Sequence, residues 1–196
     1  MKDQIINEHA GATNIDLGLM PFLKKNYNIK SILDVGCGPG GHVKFCESIG
    51  LEAFGIDGDY NTIPKEKNFM FVDYRISSSG FNRIFDLCWS VEFAEHIEER
   101  FIENFVKDYL KCKILIFTTA QVGWEEAGHV NEQSIEYWVS KLKEYGFSIH
   151  TTATKEIRAL SSLSFNNQIR AKRKQFVKNR GLLFVNSLFK DSVNTY

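Results

Sequence analysis

One segment sets the architecture of this chain: Leu33-Asp34-Val35-Gly36-Cys37-Gly38-Pro39-Gly40-Gly41. A short apolar run, interrupted by one acidic residue, leads into a glycine-rich turn. Glycine carries no Cβ, so the backbone of such a turn can come within contact distance of a ligand. In open α/β sheets, nucleotides bind where the first strand passes into its helix. The segment therefore predicts a first strand, a ligand-binding turn and the start of the following helix.

The composition limits the classes of protein to which the chain can belong. Its 196 residues suit one domain with a full core, and 43% apolar content is typical of a globular protein. Lys plus Arg number 24 and Asp plus Glu number 24, and this balance argues against a surface built for nucleic acid. The four cysteines lack C-x-x-C spacing, which predicts no metal site and buried thiols in a reducing compartment. Because we find neither a signal core nor a membrane-length apolar run, we expect a cytoplasmic protein without a membrane span.

Short apolar runs alternate with helical patterns, and this alternation predicts an α/β fold with one doubly wound, mostly parallel sheet. Seven strands are predicted, at 31–35, 52–56, 69–72, 83–89, 112–117, 147–154 and 181–185. Apolar residues at helical spacing predict helices at 17–27, 41–49, 101–110 and 135–142. For the last of these helices, Asn131 is the predicted N-cap and Gly146 the residue just beyond its end.

A carboxylate at the end of the second strand is the second candidate for ligand binding. Asp57 follows Gly36 by 21 positions, and a carboxylate there can accept hydrogen bonds from both hydroxyls of a ribose. The spacing Gly36-x-Gly38-x-x-Gly41 together with Asp57 also fits the dinucleotide-binding pattern. A nicotinamide-dependent oxidoreductase therefore stays open as an alternative at this point.

The chain resembles the class I S-adenosylmethionine-dependent methyltransferases from about residue 17 to residue 185. The glycine turn is similar to motif I of that family, and Asp34 stands where dinucleotide enzymes usually keep an apolar residue. A second segment is similar to the family's fourth strand and following loop: Phe85-Asp86-Leu87-Cys88-Trp89-Ser90-Val91-Glu92-Phe93-Ala94-Glu95-His96-Ile97. The resemblance implies a Rossmann-like sheet of order 3-2-1-4-5-7-6 with an antiparallel seventh strand. It also implies S-adenosyl-L-methionine as cofactor and S-adenosyl-L-homocysteine as product.

The resemblance divides the single predicted domain, residues 1–196, into three parts. An N-terminal helical segment covers 1–28, a cofactor-binding half covers 29–120, and a substrate-side half covers 121–196. The last part includes a connection, 158–180, with seven basic residues and no acidic one.

The glycine turn is expected to hold the methionine and ribose parts of the cofactor. Backbone amide groups at Gly36, Cys37, Gly38 and Gly40 would face the ligand, and by resemblance Asp34 would lie near its ammonium group. Asp34 could instead bond backbone amides of its own loop, and the turn could be only a tight connection.

The following strands are expected to hold the adenosine part. Asp57 would bind the ribose hydroxyls, Asp73 the adenine amino group, and Tyr74 would pack on the ring. Ser90 lies at the carboxyl end of the fourth strand, beside the expected crevice. The alternative for both aspartates and for Ser90 is a turn or capping role.

Two histidines are candidates for the acceptor side, because methyl transfer to a hydroxyl usually needs a base. His129, in the loop after the fifth strand, is the better candidate for a base or substrate contact, and His96 is the weaker alternative. A structural role is open for both. Trp124 and Trp89 could line an acceptor pocket, although Trp89 is better explained as core.

The predicted function is methyl transfer to a small-molecule or glycan acceptor, with oxygen as the favoured atom. The order His129-Val130-Asn131, Trp138 and Gly146-Phe147 is similar to a bacterial and phage-type subgroup of methyltransferases with poorly defined substrates. An RNA or nucleotide methyltransferase is one alternative, because basic residues cluster at 170–174. A catalytically silent cofactor-binding scaffold is another. The acceptor and the oligomeric state stay open.

Overall fold

A computed structural model describes residues 13–123, 128–165, 168–169 and 174–190. The strands are β1 (Ile15–Asp16), β2 (Ser31–Val35), β3 (Glu52–Asp57), β4 (Phe69–Phe71), β5 (Phe85–Val91), β6 (Cys112–Thr118), β7 (Phe147–Ile149), β8 (Leu163–Phe165), β9 (Gln168–Ile169) and β10 (Leu182–Asn186). The α-helices are α1 (Leu19–Asn26), α2 (Gly41–Ser48), α3 (Ile102–Tyr109), α4 (Ile135–Glu144), α5 (Thr151–Leu160) and α6 (Phe176–Arg180).

The main sheet has seven strands in the order β4-β3-β2-β5-β6-β10-β7. Strand β10 runs antiparallel to both of its neighbours, and β4, β3, β2, β5 and β6 pair in parallel. This confirms the predicted order 3-2-1-4-5-7-6 and the antiparallel seventh strand. Because the carboxyl ends of parallel strands meet at one edge of a sheet, the loops after β2, β3, β5 and β6 share that edge.

Helices cover both faces of this sheet, in agreement with the predicted doubly wound fold. Ile114 and Ile116 of β6 belong to one apolar cluster, which includes buried residues of α1, α2 and α5. Leu115 and Phe117 belong to a second cluster, which includes buried residues of α3 and α4. Successive side chains of a strand point to opposite faces, so the two clusters lie on opposite sides of the sheet. The division into a cofactor half and a substrate half stays a prediction.

The prediction of one strand over 147–154 is wrong, because this segment holds a short strand and the start of a helix. Strand β7 ends at Ile149, and the backbone amide of His150 donates to Leu183. The His150 Nδ1 atom then accepts a hydrogen bond from the Ala153 amide at 3.1 Å and caps α5. The buried face of α5 includes Ala153 and Ile157, so tertiary packing outweighs the strand preference of the threonines.

The predicted N-cap of α4 is also wrong. Ser134 is the N-cap, and its side chain accepts a hydrogen bond from the Tyr137 amide at 3.2 Å. Asn131 lies earlier in the loop, where its buried backbone amide donates to the Glu95 carbonyl oxygen. Gly146 follows the helix in the left-handed conformation, with φ of 91°, as predicted.

The described parts of the basic connection 158–180 contain regular secondary structure. Strand β8 pairs antiparallel with both β1 and β9 in a second, three-stranded sheet, and α6 precedes β10. Arg180 is 7% exposed, and the Arg158 Nε atom donates to the Gly181 carbonyl oxygen at 2.7 Å. Arg170, Lys172 and Arg173 lie outside the described residues, as does Trp124.

All four cysteines are unpaired and buried, in agreement with the prediction of buried thiols. Burial raises the pKa of the Cys37 and Cys46 thiols far above the usual range, so these thiols stay protonated. Within the described parts of the chain, no helix is long and apolar enough to cross a membrane.

Candidate functional site

The turn between β2 and α2 needs glycine at three positions because φ is positive at Gly36, Gly38 and Gly40 (83°, 51° and 75°). A Cβ on Gly36 would meet the ring of Phe93 at 2.7 Å. A Cβ on Gly38 would meet nothing within 4 Å, so the space beside this residue is open. The open side of the turn is therefore at Gly38.

The amides of the turn are already bonded. The Gly36 and Cys37 amides both donate to the Ile56 carbonyl oxygen, at 2.8 and 3.0 Å, and the Gly40 amide donates to the Cys37 carbonyl oxygen at 3.0 Å. The Gly38 amide donates to the Asp57 carboxylate. The amides predicted to face a ligand are therefore occupied within the protein, and the turn offers its carbonyl oxygens and the open space beside Gly38.

We expect Gly40→Ala to lower the free energy of unfolding by about 2–4 kcal/mol. A left-handed conformation costs an alanine about 1–2 kcal/mol, and its Cβ would also lie 2.3 Å from Cε1 of Phe69. Urea denaturation checks this, with Gly38→Ala as the matched control, since Gly38 shares the positive φ but has open space. Equal losses in the two variants would show that the Phe69 contact contributes nothing.

Asp57 joins the end of β3 to the glycine turn. Its Oδ2 atom accepts from the Gly38 amide and its Oδ1 atom from the Asp59 amide, both at 2.8 Å. Burial raises the pKa of the Asp57 carboxyl group, while the two amide bonds act in the opposite direction. Each carboxylate oxygen keeps a lone pair, so Asp57 can still accept two further hydrogen bonds.

Asp34 lies beneath the turn and faces a histidine that the sequence analysis did not single out. The Oδ2 atom of Asp34 is 3.5 Å from Nδ1 of His42, which follows Gly41 at the start of α2. The imidazole stacks on Trp89 with the ring centroids 4.5 Å apart. Both side chains are buried, and neither nitrogen of His42 has a hydrogen-bond partner among the described residues. Trp89 is core, as predicted.

The other residues predicted on the cofactor side have different surroundings. Asp73 is held by the Arg75 guanidinium at 2.7 and 2.8 Å, and these hydrogen bonds lower the pKa of its carboxyl group. Tyr74 is buried in the aromatic core, where its hydroxyl donates to Asp108 at 2.8 Å. Ser90 is fully buried, with its Oγ atom 2.6 Å from the hydroxyl oxygen of Tyr109.

A buried ion pair follows β5. Glu92 adopts a left-handed conformation, with φ of 58°, and its carboxylate accepts from the Thr118 hydroxyl at 2.7 Å and from the Arg180 guanidinium. Burial and the nearby Glu95 carboxylate raise the pKa of Glu92 to about 7, although Arg180 and Thr118 act to lower it.

The structure brings the two predicted histidines together. The rings of His96 and His129 have centroids 5.0 Å apart, although one follows β5 and the other follows β6. The Nδ1 atom of His96 lies 3.2 Å from the Gly128 carbonyl oxygen, and Nδ1 of His129 lies 2.7 Å from Oε1 of Glu132.

Glu95 completes this group, and the sequence analysis missed it. Its carboxylate accepts from the Thr119 hydroxyl and from the Ala120 amide, both at 3.1 Å, and its carbonyl oxygen accepts from Val130 and Asn131. Burial raises the pKa of the Glu95 carboxyl group. The order Glu95-His96 in a loop at the carboxyl edge was the available signal.

The comparisons with known proteins agree with this geometry. Residues 33–108 match the family model described as "Methyltransferase domain". No curated protein matches the sequence. An S-adenosylmethionine-dependent methyltransferase from Archaeoglobus fulgidus is 18% identical, with 75% of this chain and 69% of that chain covered and a TM-score of 0.52.

Two further solved structures share the fold. Magnesium protoporphyrin IX methyltransferase from Synechocystis PCC 6803, solved with its bound methyl donor, is 14% identical, with 76% and 70% coverage and a TM-score of 0.52. A structure described as "Conversion of a Disulfide Bond into a Thioacetal Group during Echinomycin Biosynthesis" is 14% identical, with 99% and 96% coverage and a TM-score of 0.57. At such identities the likeness concerns the fold alone.

The sheet order, the glycine turn and the family match define a Rossmann-like methyltransferase. Residues 33–108 match the methyltransferase domain, and solved S-adenosylmethionine-dependent methyltransferases share the fold of the chain. The dinucleotide-binding alternative is therefore not retained.

Proposed function

We propose that this protein transfers a methyl group from S-adenosylmethionine to a hydroxyl oxygen of a small-molecule or glycan acceptor. The observation that carries the proposal is the open space beside Gly38, next to the Asp57 carboxylate, at the carboxyl edge of the sheet. A ligand in that space would meet backbone without side-chain bulk and a buried acceptor of hydrogen bonds.

The cofactor would be held mainly by hydrogen-bond acceptors of the protein, because its ammonium group, ribose hydroxyls and adenine amino group all donate hydrogen bonds. The remaining lone pairs of Asp57 would receive the ribose hydroxyls, and the carbonyl oxygens of the turn would receive the ammonium group. Asp34 adds negative charge beneath the turn. Asp73 stays the proposed partner of the adenine amino group, with Arg75 fixing its orientation. Tyr74 and Ser90 would support the site from the core.

The acceptor would bind against the loops after β5 and β6, which lie at the same edge of the sheet as the glycine turn. The contact between His129 and Glu132 is typical of an imidazole held in one orientation, as a general base requires. The transfer is an in-line displacement: the O–CH3 bond forms, the S–CH3 bond breaks, and sulfur keeps the electron pair. The hydroxyl proton leaves on the acceptor side, where His129 is the proposed contact and His96 its neighbour.

The RNA alternative gains no support from the described part of the basic connection. Arg180 is buried in an ion pair with Glu92, and the Nε atom of Arg158 is bonded to a backbone carbonyl oxygen. We keep a small acceptor as the proposed substrate class, and the 170–173 part of the basic cluster lies outside the described residues.

Calorimetric titration with S-adenosylhomocysteine tests the cofactor part of the proposal. We expect binding in the micromolar range, typical of enzyme ligands, and no heat with NAD as the matched control. A panel of hydroxyl acceptors, followed by release of S-adenosylhomocysteine, then tests the reaction. Protein with a native circular dichroism spectrum that binds no S-adenosylhomocysteine would contradict the proposed function.

A further inference from the structure

Three groups that can bind a metal ion converge at the acceptor side of the site. A carboxylate oxygen of Glu95 and one nitrogen each from His96 and His129 lie within 4.8 Å of one another. The two histidines come from different loops, so the fold and not the local sequence makes this group. A cation with bonds of about 2.1 Å holds opposite ligands about 4.2 Å apart. Shifts of less than about 1 Å in the ligand atoms would therefore bring them to bonding distance from one ion.

Both imidazoles are oriented in the way that metal-binding histidines usually are. One ring nitrogen of His96 faces the Gly128 carbonyl oxygen, and one of His129 faces the Glu132 carboxylate. A bond donated from Nδ1 to an oxygen selects the tautomer whose Nε2 atom carries the lone pair that a metal needs. Glu132 is thereby placed behind His129 as a positioning residue.

The Glu95 carboxylate is buried and accepts its hydrogen bonds from neutral groups. It is 1% exposed, and among the described residues no Lys or Arg forms an ion pair with it. Its bonds come from the Thr119 hydroxyl and the Ala120 amide, one to each oxygen, which leaves a lone pair on both. The neighbouring Glu92, in contrast, is paired with Arg180. A buried carboxylate is costly unless a charge compensates it, and a bound cation would supply that charge.

From these observations we propose that Glu95, His96 and His129 bind one divalent transition-metal cation of the Mn²⁺, Co²⁺ or Zn²⁺ kind. Two imidazoles with one carboxylate suit these ions, whereas Ca²⁺ and Mg²⁺ prefer oxygen ligands. This inference contradicts the expectation from the cysteine spacing that the chain holds no metal site. That spacing concerned structural zinc sites and carried no information about histidine and glutamate in separate loops.

Three protein ligands leave coordination positions open, and the acceptor hydroxyl is the group that would fill one. This step rests on the proposed function. A cation there would lower the pKa of the acceptor hydroxyl, whose proton would pass to water while the O–CH3 bond forms and the S–CH3 bond breaks. In this arrangement His129 would hold the cation, and water would take the proton for which His129 is the proposed base in the absence of a cation.

The test uses untagged protein that has been treated with chelator and dialysed, without cofactor or acceptor. Titration with Co²⁺ alone, followed by calorimetry and visible absorption, is expected to show one cation per chain. Loss of a ligand is expected to weaken binding at least about 30-fold in His129→Gln, His96→Gln and Glu95→Gln. His150→Asn is the matched control, because it removes an imidazole that is not part of the group and keeps an acceptor for the cap of α5. Its affinity is expected to equal that of the unchanged protein.

Absence of Co²⁺ binding, or equal binding by the ligand variants and the control, would overturn the inference. Should Glu95→Gln fail to fold, the two histidine variants decide, because neither histidine lies in an α-helix or a strand. S-adenosylhomocysteine titration on the same preparation separates the two proposals. Binding of that ligand without Co²⁺ binding refutes the metal site only, and Co²⁺ binding without it refutes the proposed function only.

Discussion

Asp57→Ala is expected to weaken the binding of S-adenosylhomocysteine at least about 100-fold. A hydrogen bond to a charged group contributes about 1.5–3 kcal/mol, so the loss of two from the ribose corresponds to about 3 kcal/mol or more. The variant also removes the hydrogen bond that the Gly38 amide donates to Asp57 at 2.8 Å, and this loss should loosen the turn. Calorimetric titration at fixed pH and salt measures the effect.

The control for this variant is Glu66→Gln. Glu66 is an exposed carboxylate paired with Lys44 of α2, so the change removes a nearby negative charge without touching the turn. An exposed pair of this kind contributes little, and affinity within about twofold of the unchanged protein is expected. Folded Asp57→Ala protein that binds as tightly as Glu66→Gln would refute the role of Asp57 in the cofactor site.

The strands of the parallel sheet could be predicted because each is buried on both faces and reads as an apolar run. Strand β2 agrees with its predicted limits, and its five residues are all buried. The segment 147–154 failed because its threonines favour a strand locally, whereas the packing of Ala153 and Ile157 favours a helix. The strand preference of the threonines is visible in the local sequence, whereas the packing of Ala153 and Ile157 depends on the sheet that α5 covers.

The cofactor side was predictable in outline and the acceptor side was not. The spacing of Gly36 and Asp57 predicted that the turn and the carboxylate lie close together. The hydrogen bonds that occupy the turn amides depend on the register of β2 and β3, which the spacing does not give. The burial of Ser90 follows from strand alternation, since it shares a face with Cys88 and turns toward Tyr109. The meeting of Glu95 and His129 joins two loops, and no spacing in the sequence encodes it.

The second large effect is expected from Arg180→Met, measured on metal-free protein. The variant should lose about 3–5 kcal/mol of unfolding free energy at pH 8, because it leaves the buried Glu92 carboxylate without its cation. It also removes the bond from the Arg180 Nε atom to the Thr119 carbonyl oxygen at 2.9 Å. Urea denaturation measures the loss. Arg83→Met is the matched control, because the Arg83–Glu52 pair lies at the surface, and about 0–1 kcal/mol is expected there.

The pH dependence of this loss identifies its cause. The pKa of Glu92 is about 7 in the folded protein, above its ordinary value of 4.5, and removal of Arg180 raises it further. At pH values between 4.5 and the pKa of Glu92 in the folded variant, the folded state keeps a proton that the unfolded state releases. The stability of the variant therefore falls as pH rises through this range. At pH 5 Glu92 is protonated and needs no partner, so the loss should shrink to about 1–2 kcal/mol. Adding Glu92→Gln to Arg180→Met should remove the difference between pH 5 and pH 8. A loss that is equal at both pH values would mean that packing of the Arg180 side chain, and not the charge of Glu92, stabilises this corner of the fold.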